Sequence, residues 1–347
     1  MEVSSTELGA WIDWLGDHHF DRRQSAQYLL RNAGEQAVPF LAKATASEDP
    51  ERSIRAAYLL HQMAHDPELG VSERASAALA DLALSPSPHV KLAIERTRRD
   101  WQTYVAKLLR DRGLQVTWDS ENANLITVKS VAPQVGNEDL ALLSKLRITE
   151  LDLRNSQVSD EGLQHLANQS QLVRLNLQRT RITNEGLQQL CPRLKQLASI
   201  SVEHTAVDDQ GLASIAECRQ LTTLYLGGSQ VRGPGLRHFA QHPLTYLSFQ
   251  HSNIVDDSVS QYIGALSQLE TLGLDDTSVS DACLSSLAAL KNLKVLWLNR
   301  CDITNDAVPL LLQINSLAAL HLADTRISEE ALQELRQQKP EWQITSD

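Results

Sequence analysis

Apolar and polar positions follow a fixed long period over residues 148–338. One unit shows it fully. Leu293, Leu296 and Leu298 are followed by Cys301, Ile303, the polar pair Thr304-Asn305, Ala307, Val308 and Leu311. The same order starts again at Leu269 and at Leu317. The second leucine of each unit falls at Leu151, Leu175, Ile200, Leu224, Leu247, Leu272, Leu296 and Leu320, at spacings of 24, 25, 24, 23, 25, 24 and 24 residues. The L-x-L core predicts a short strand with both leucines inward and the residue between them outward. A small residue follows at Ser156, Thr180, Thr205, Ser229, Ser252, Thr277, Cys301 and Thr325, and a buried hydroxyl there can satisfy backbone groups at the turn. An inward Val158, Ile182, Val207, Val231, Ile254, Val279, Ile303 or Ile327 comes next. Polar pairs such as Ser159-Asp160, Thr183-Asn184 and Ser280-Asp281 then supply N-caps for a short helix. The small residues Gly162, Gly186, Gly211, Gly235, Ser258, Cys283, Ala307 and Ala331 are expected where helix and strand layers come close.

Residues 1–113 carry a different pattern, with apolar residues at three- and four-residue intervals and few glycines. Helices are expected from Thr6 to Leu15, Asp21 to Ala33 and Glu35 to Ala46. Two more begin at Asp49-Pro50 and Asp66-Pro67, and a long sixth runs from after Pro88 to about Arg112. Gly34 and Gly113 are stop signals. Short strands are then expected at Leu114–Trp118 and Leu125–Val128. At the far end Pro340 stops the last helix, and Glu341–Ile344 adds a strand in which Trp342 or Ile344 covers the last unit.

A period in the twenties headed by L-x-x-L-x-L resembles a leucine-rich repeat. The L-x-x-L-x-L-x-x-T-x-I-T-D-x-G-L form is similar to that of cytoplasmic bacterial leucine-rich-repeat proteins over nearly the whole chain. It also resembles the cysteine-containing repeats of F-box proteins, but no F-box is present, so a ubiquitin-ligase role is not carried over. Residues 16–84, through Arg23, Leu30, Gly34, Leu41, Asp49-Pro50, Arg55 and Leu60, resemble HEAT-like helical pairs. The implied fold is α/β: a right-handed leucine-rich-repeat solenoid with concave parallel strands and convex helices, preceded by an all-α HEAT-like helical region. The expected boundaries are 1–113 for the helical region and 114–347 for the solenoid. The solenoid divides into an entry cap at 114–147, eight repeats at 148–338 and a C-terminal cap at 339–347. End units need capping because one face would otherwise expose core leucines. The resemblance implies a protein-interaction module in the cytoplasm.

Composition narrows the function classes. The net charge of −11 is concentrated in the repeats, since residues 114–347 hold 18 Lys and Arg against 27 Asp and Glu. Such acidity argues against a nucleic-acid partner; it is compatible with basic protein partners and equally with a charge that serves only to keep the protein in solution. Cys191, Cys218, Cys283 and Cys301 form no C-x-x-C pair, and they fit a reducing compartment. No apolar run is long enough for a membrane span, and Met1-Glu2-Val3 opens no signal peptide. No metal site, cofactor site or catalytic residue is expected. His61 and His65 lie four apart and His18-His19 are adjacent, but a metal needs three or four converging ligands, so these read as surface histidines. His204 and His251 stand two repeats apart, too far for one zinc. Asp275 and Asp276 with Asp324 and Arg300 invite comparison with a glycosidase acid pair, but the repeat supplies no enclosed pocket. The basic residues Arg96, Arg98, Arg99, Lys107, Arg110 and Arg112 alternate with Glu95, Asp100 and Asp111, as on a solvated helix face.

The outward strand positions are where a peptide or protein is expected to bind. Tyr225, Tyr246, Trp297 and His321 are aromatic groups on a polar face, and His251, Arg300 and Asp275 stand beside them. Gly227, Gly228 and Gly273 are expected to leave a depression, which suggests a small-ligand sensor as the alternative function. A third possibility is a structural subunit docked through the helical region.

Overall fold

The computed structural model describes residues 3–65, 73–118, 126–144 and 146–346, with only the backbone of 65, 73, 101, 102 and 105. The helix start expected at Asp66-Pro67 and the strand residue Leu125 lie outside these. The chain divides into two compact units, Met1–Arg112 and Gly113–Asp347.

The first unit is helical: α1 Ser5–Trp14, α2 Phe20–Asn32, α3 Val38–Ala44, α4 Pro50–His65, α5 Glu73–Ala83 and α6 Pro88–Asp111. Its ends follow local chemistry. Ser4 and Glu7 form a capping box on α1, and Asp49 accepts the Glu51 N–H at the start of α4. Gly34, at φ 57°, turns the chain out of α2. Leu8, Leu15, Leu30, Leu41, Leu60 and Met63 are buried in one core with Ala56, Ala57, Val90 and Ile94. His61 is not a surface residue. It is buried on α4, with its Nδ1 3.0 Å from the Ala57 carbonyl and 3.2 Å from the Thr97 hydroxyl.

The second unit is one sheet of eleven strands in sequence order. These are β1 Leu114–Trp118, β2 Ile126–Ser130, β3 Ile148–Asp152, β4 Arg174–Asn176, β5 Ser199–Ser201, β6 Thr223–Tyr225, β7 Tyr246–Ser248, β8 Thr271–Gly273, β9 Val295–Trp297, β10 Ala319–His321 and β11 Gln343–Thr345. β1 and β2 are antiparallel, and every later pair is parallel. The second leucines stand in register from Leu151 through Leu175, Ile200, Leu224, Leu247, Leu272 and Leu296 to Leu320. All eight are buried. Trp342 is buried and β11 extends β10, so the far end is closed by residues 341–345.

Helical segments join successive strands: α7 Asn137–Leu143, α8 Asp160–Leu163, α9 Asn184–Leu190, α10 Asp209–Ile215, α11 Ser260–Ile263, α12 Asp281–Leu287, α13 Val308–Leu311 and α14 Glu329–Gln338, with short 3-10 turns among them. The polar pair that opens most of these helical segments has two separate tasks, although Ser159 makes no side-chain cap on α8. The first residue caps its own helix, as Thr183 does for Glu185 N–H. The second accepts a backbone N–H from the next repeat: Asn137 from Ser159, Asp160 from Thr183, Asn184 from Asp208, Asp257 from Ser280, Asp281 from Thr304 and Asn305 from Ser328. At Gly186 the Asp160 carboxylate stands where a Cβ would otherwise be, while other repeats hold Cys283 or Ala307 in this slot. The buried threonines act within their own repeat: Thr180, Thr205 and Thr277 each donate to the carbonyl three residues earlier at 2.6 Å. Cys301 Sγ reaches back to the Leu274 carbonyl at 3.0 Å.

The fifth repeat corrects one expectation. Val255, not Ile254, is buried, and Ile263 is buried one position later than the period places it, at Tyr262. One extra residue between Ser252 and Val255 accounts for the shift, and it contributes to the 25-residue spacing from Leu247 to Leu272.

Candidate functional site

The repeat strands from β4 to β10 are only three residues long, yet the ladder continues past them. Leu153, Leu177, Val202, Leu226, Phe249, Leu274 and Leu298 donate to carbonyls of the next repeat, and donors two residues on, such as Asn155, Arg179 and His204, do the same. That extension ends where the backbone turns left-handed. Asn155, Arg179, His204, His251, Asp276, Arg300 and Asp324 all have φ between 52° and 61°, and Gly228 fills the same slot at 63°. The side chains that point away from the core before this turn make up the concave face.

Two aromatic pairs stand on that face. The Tyr225 and Tyr246 ring centroids are 5.0 Å apart at 47°, and Trp297 meets His321 edge-on at 5.6 Å. All four side chains are half-buried rather than fully exposed. The buried Ser248 and Gly273 separate the pairs on β7 and β8. Burial and the Glu203 carboxylate raise the Tyr225 hydroxyl above its ordinary range. Burial, Tyr225 and Glu203 push Tyr246 up to about 12. The other expected site residues have structural engagements. Asp275 accepts the Asn299 N–H and the Gln250 amide, both at 2.8 Å. His251 pairs with Asp276 at 3.0 Å and Arg300 with Asp324 at 3.3 Å, all four on the left-handed turn beyond the strands.

The glycines do not open a depression. Gly227 and Gly273 are buried, and a Cβ at Gly227 would overlap the Gln250 carbonyl. Gly228 lies beneath the His204 ring, which occupies the place of its missing side chain. A hollow on this face lies across β2 to β6, with a volume of about 400 Å³. Its lining includes Lys129, Asp152, Arg154, Arg174, Glu203 and Tyr225, and none of the three glycines. Arg154 binds Asp152 at 2.7 Å, and that contact raises the guanidinium further above its ordinary value; Arg174 pairs with Glu150. The signal for this hollow was present in the sequence as a run of charged outward positions in the first three repeats. It is less conspicuous than the aromatic residues that follow. Among the described residues no three His, Cys, Asp or Glu side chains converge as a metal site.

Residues 148–167 and 169–191 match the family model described as Leucine Rich repeat, so the chain carries leucine-rich repeats. Among solved structures, an internalin (inlF) of Listeria monocytogenes is 18% identical, with 59% of this chain and 75% of that chain covered and a TM-score of 0.36. Internalin C2 of the same organism is 24% identical, covering 58% and 81%, with a TM-score of 0.43. The plant peptide hormone receptor RGFR1, solved in complex with RGF2, is 17% identical, covering 67% and 37%, with a TM-score of 0.38. None of the curated proteins matches.

Proposed function

We propose that the chain is a non-enzymatic scaffold whose repeat sheet holds a peptide or protein on its concave face. Leucine-rich repeats are in general protein-interaction modules. The observation that favours the concave face is the placement of Tyr225, Tyr246, Trp297 and His321. They are half-buried aromatic groups projecting from β6, β7, β9 and β10, and the first of them, Tyr225, lines an open polar hollow. Large rings already ordered by their neighbours bury much area on binding at low entropic cost. The small-ligand alternative has no opening at Gly227, Gly228 and Gly273 to support it.

Finer features belong to the same proposal. The crossovers of the sheet are right-handed, as nearly all parallel connections are. The first unit is HEAT-like, a reading supported by α4 packing against α3, α5 and α6. Four free, buried cysteines support a reducing, cytoplasmic setting. No helix of the described residues is long and apolar enough to cross a membrane.

The test is affinity capture from the source organism followed by titration of the purified captured protein against wild type and a Tyr225→Ala/Trp297→Ala variant. Loss of two aromatic contacts is expected to weaken binding by roughly thirtyfold or more. Equal affinity of the folded variant removes the concave face from the interaction and moves it to residues 1–112 or another surface.

A further inference from the structure

We propose that the concave face selects a basic side chain, an arginine or lysine of a bound peptide, between Glu203 and the ring pair Tyr225/Tyr246. This inference rests on the concave face being the peptide-binding surface. Its basis is the charge pattern of the hollow. Six charged side chains line it, and four are consumed in two internal pairs, Arg154 with Asp152 and Arg174 with Glu150. Lys129 and Glu203 are left, and neither has an ion pair among the described residues. Lys129 is on β2 and Glu203 lies two residues past the end of β5, three strand spacings or about 14 Å away, so they do not neutralise each other. Arg154 lies within the field of Glu203, but its Nε and a terminal nitrogen are both spent on Asp152.

The Glu203 carboxylate is held in place from below. Ser201 Oγ donates to it at 3.1 Å. Its Oε1 comes within 3.0 Å of where a Cβ on Gly227 would stand, so the missing side chain at 227 is what gives the carboxylate its place. Beside it, Tyr225 lines the hollow and Tyr246 packs against Tyr225 at 5.0 Å. Glu203 and Tyr225 line the same hollow, and the carboxylate helps to raise both tyrosine hydroxyls. A half-buried carboxylate next to two aromatic rings offers a cation ion pairing and ring-face attraction at once, and partial desolvation strengthens both. The net charge of −9 over residues 114–347 draws basic segments toward the same unit. An acidic peptide meets the reverse, repulsion from the Glu203 carboxylate.

Selection of a random-peptide display library on the full chain tests this, with wild type, Glu203→Gln and Tyr225→Ala/Trp297→Ala run in parallel. Glutamine keeps the Ser201 contact, and circular dichroism checks that each variant folds. Wild-type binders are expected to share an arginine or lysine at one position. Replacing it by norleucine is expected to weaken binding about tenfold on wild type and less than about threefold on Glu203→Gln. Binders that share no basic residue, or equal discrimination by Glu203→Gln, overturn the inference. If such binders are still lost with the Tyr225/Trp297 variant, the concave-face reading stands without it. If no binder depends on Tyr225 and Trp297, both fall.

Discussion

Asp160 accepts both the backbone N–H of Thr183, at 2.8 Å, and its hydroxyl, at 2.6 Å. One side chain thus ties two consecutive helices, and the same device recurs at Asp257 with Ser280 and at Asp281 with Thr304. Asp160→Ala leaves the Thr183 N–H and hydroxyl without that acceptor, so a loss of about 1–3 kcal/mol is expected. Asp160→Asn retains the acceptor oxygen. Asn137, Asn184 and Asn305 fill the equivalent slot in other repeats, so this variant is expected to stay within about 1 kcal/mol of wild type. Urea unfolding of the three proteins separates the outcomes. Equal loss from both substitutions shows that the link does not act through the amide contact.

The left-handed column gives a second pair of expectations. A side chain other than glycine, asparagine or aspartate costs roughly 1–2 kcal/mol in that conformation. Arg179 sits there at φ 53°, so Arg179→Asn is expected to raise stability by about 0.5–1 kcal/mol. Gly228→Ala is expected to lower it by at least about 1 kcal/mol, because its φ is 63° and a Cβ runs into the His204 ring. Opposite shifts in the urea midpoint support this account, and a stabilised Gly228→Ala refutes it.

The repeat was legible in the sequence because one column of leucines is also one column of the sheet. The spacing of Leu151, Leu175 and Ile200 is the register itself. What escaped was local. Val255 replaced Ile254 because an inserted residue moves a turn without disturbing the strand leucines on either side. The expected glycine depression was filled by the His204 ring and the Gln250 carbonyl, groups that come from neighbouring repeats. The hollow went unseen because its charges count as solvated surface until Arg154 and Arg174 are found paired with acids on the same face. The second task of Asp160 depends on a contact 23 residues away, which no single repeat displays.

The thiols provide a third expectation. Cys191, Cys218, Cys283 and Cys301 are all free and buried. The neighbouring Cys218 and burial raise the Cys191 thiol well above its ordinary value, and burial pushes Cys283 up to about 12. Burial leaves a reagent little access to any of the four in the folded state. A chromogenic disulfide reagent near neutral pH is expected to label none of the four rapidly and all four in denaturant. Fast stoichiometric labelling of native protein contradicts this packing.

His61 makes the helical unit sensitive to acid. Burial lowers its pKa from 6.5 to about 4, with a contribution from Arg98, while the Ala57 carbonyl contact opposes the shift. The folded state therefore holds the imidazole neutral, and the unfolded state takes up a proton first as the pH falls. Stability is unaffected by this group above about pH 6.5, declines between about 6.5 and 4, and levels off below that. The full span is on the order of 3 kcal/mol. His61→Gln removes the titrating group and, at some cost in stability at neutral pH, is expected to remove most of the slope. Urea midpoints at pH 7 and pH 5 for wild type and variant measure the difference. Parallel pH dependence in the two proteins assigns the acid sensitivity to other groups, and a wild type more stable at pH 5 than at pH 7 reverses the sign and rejects the burial argument.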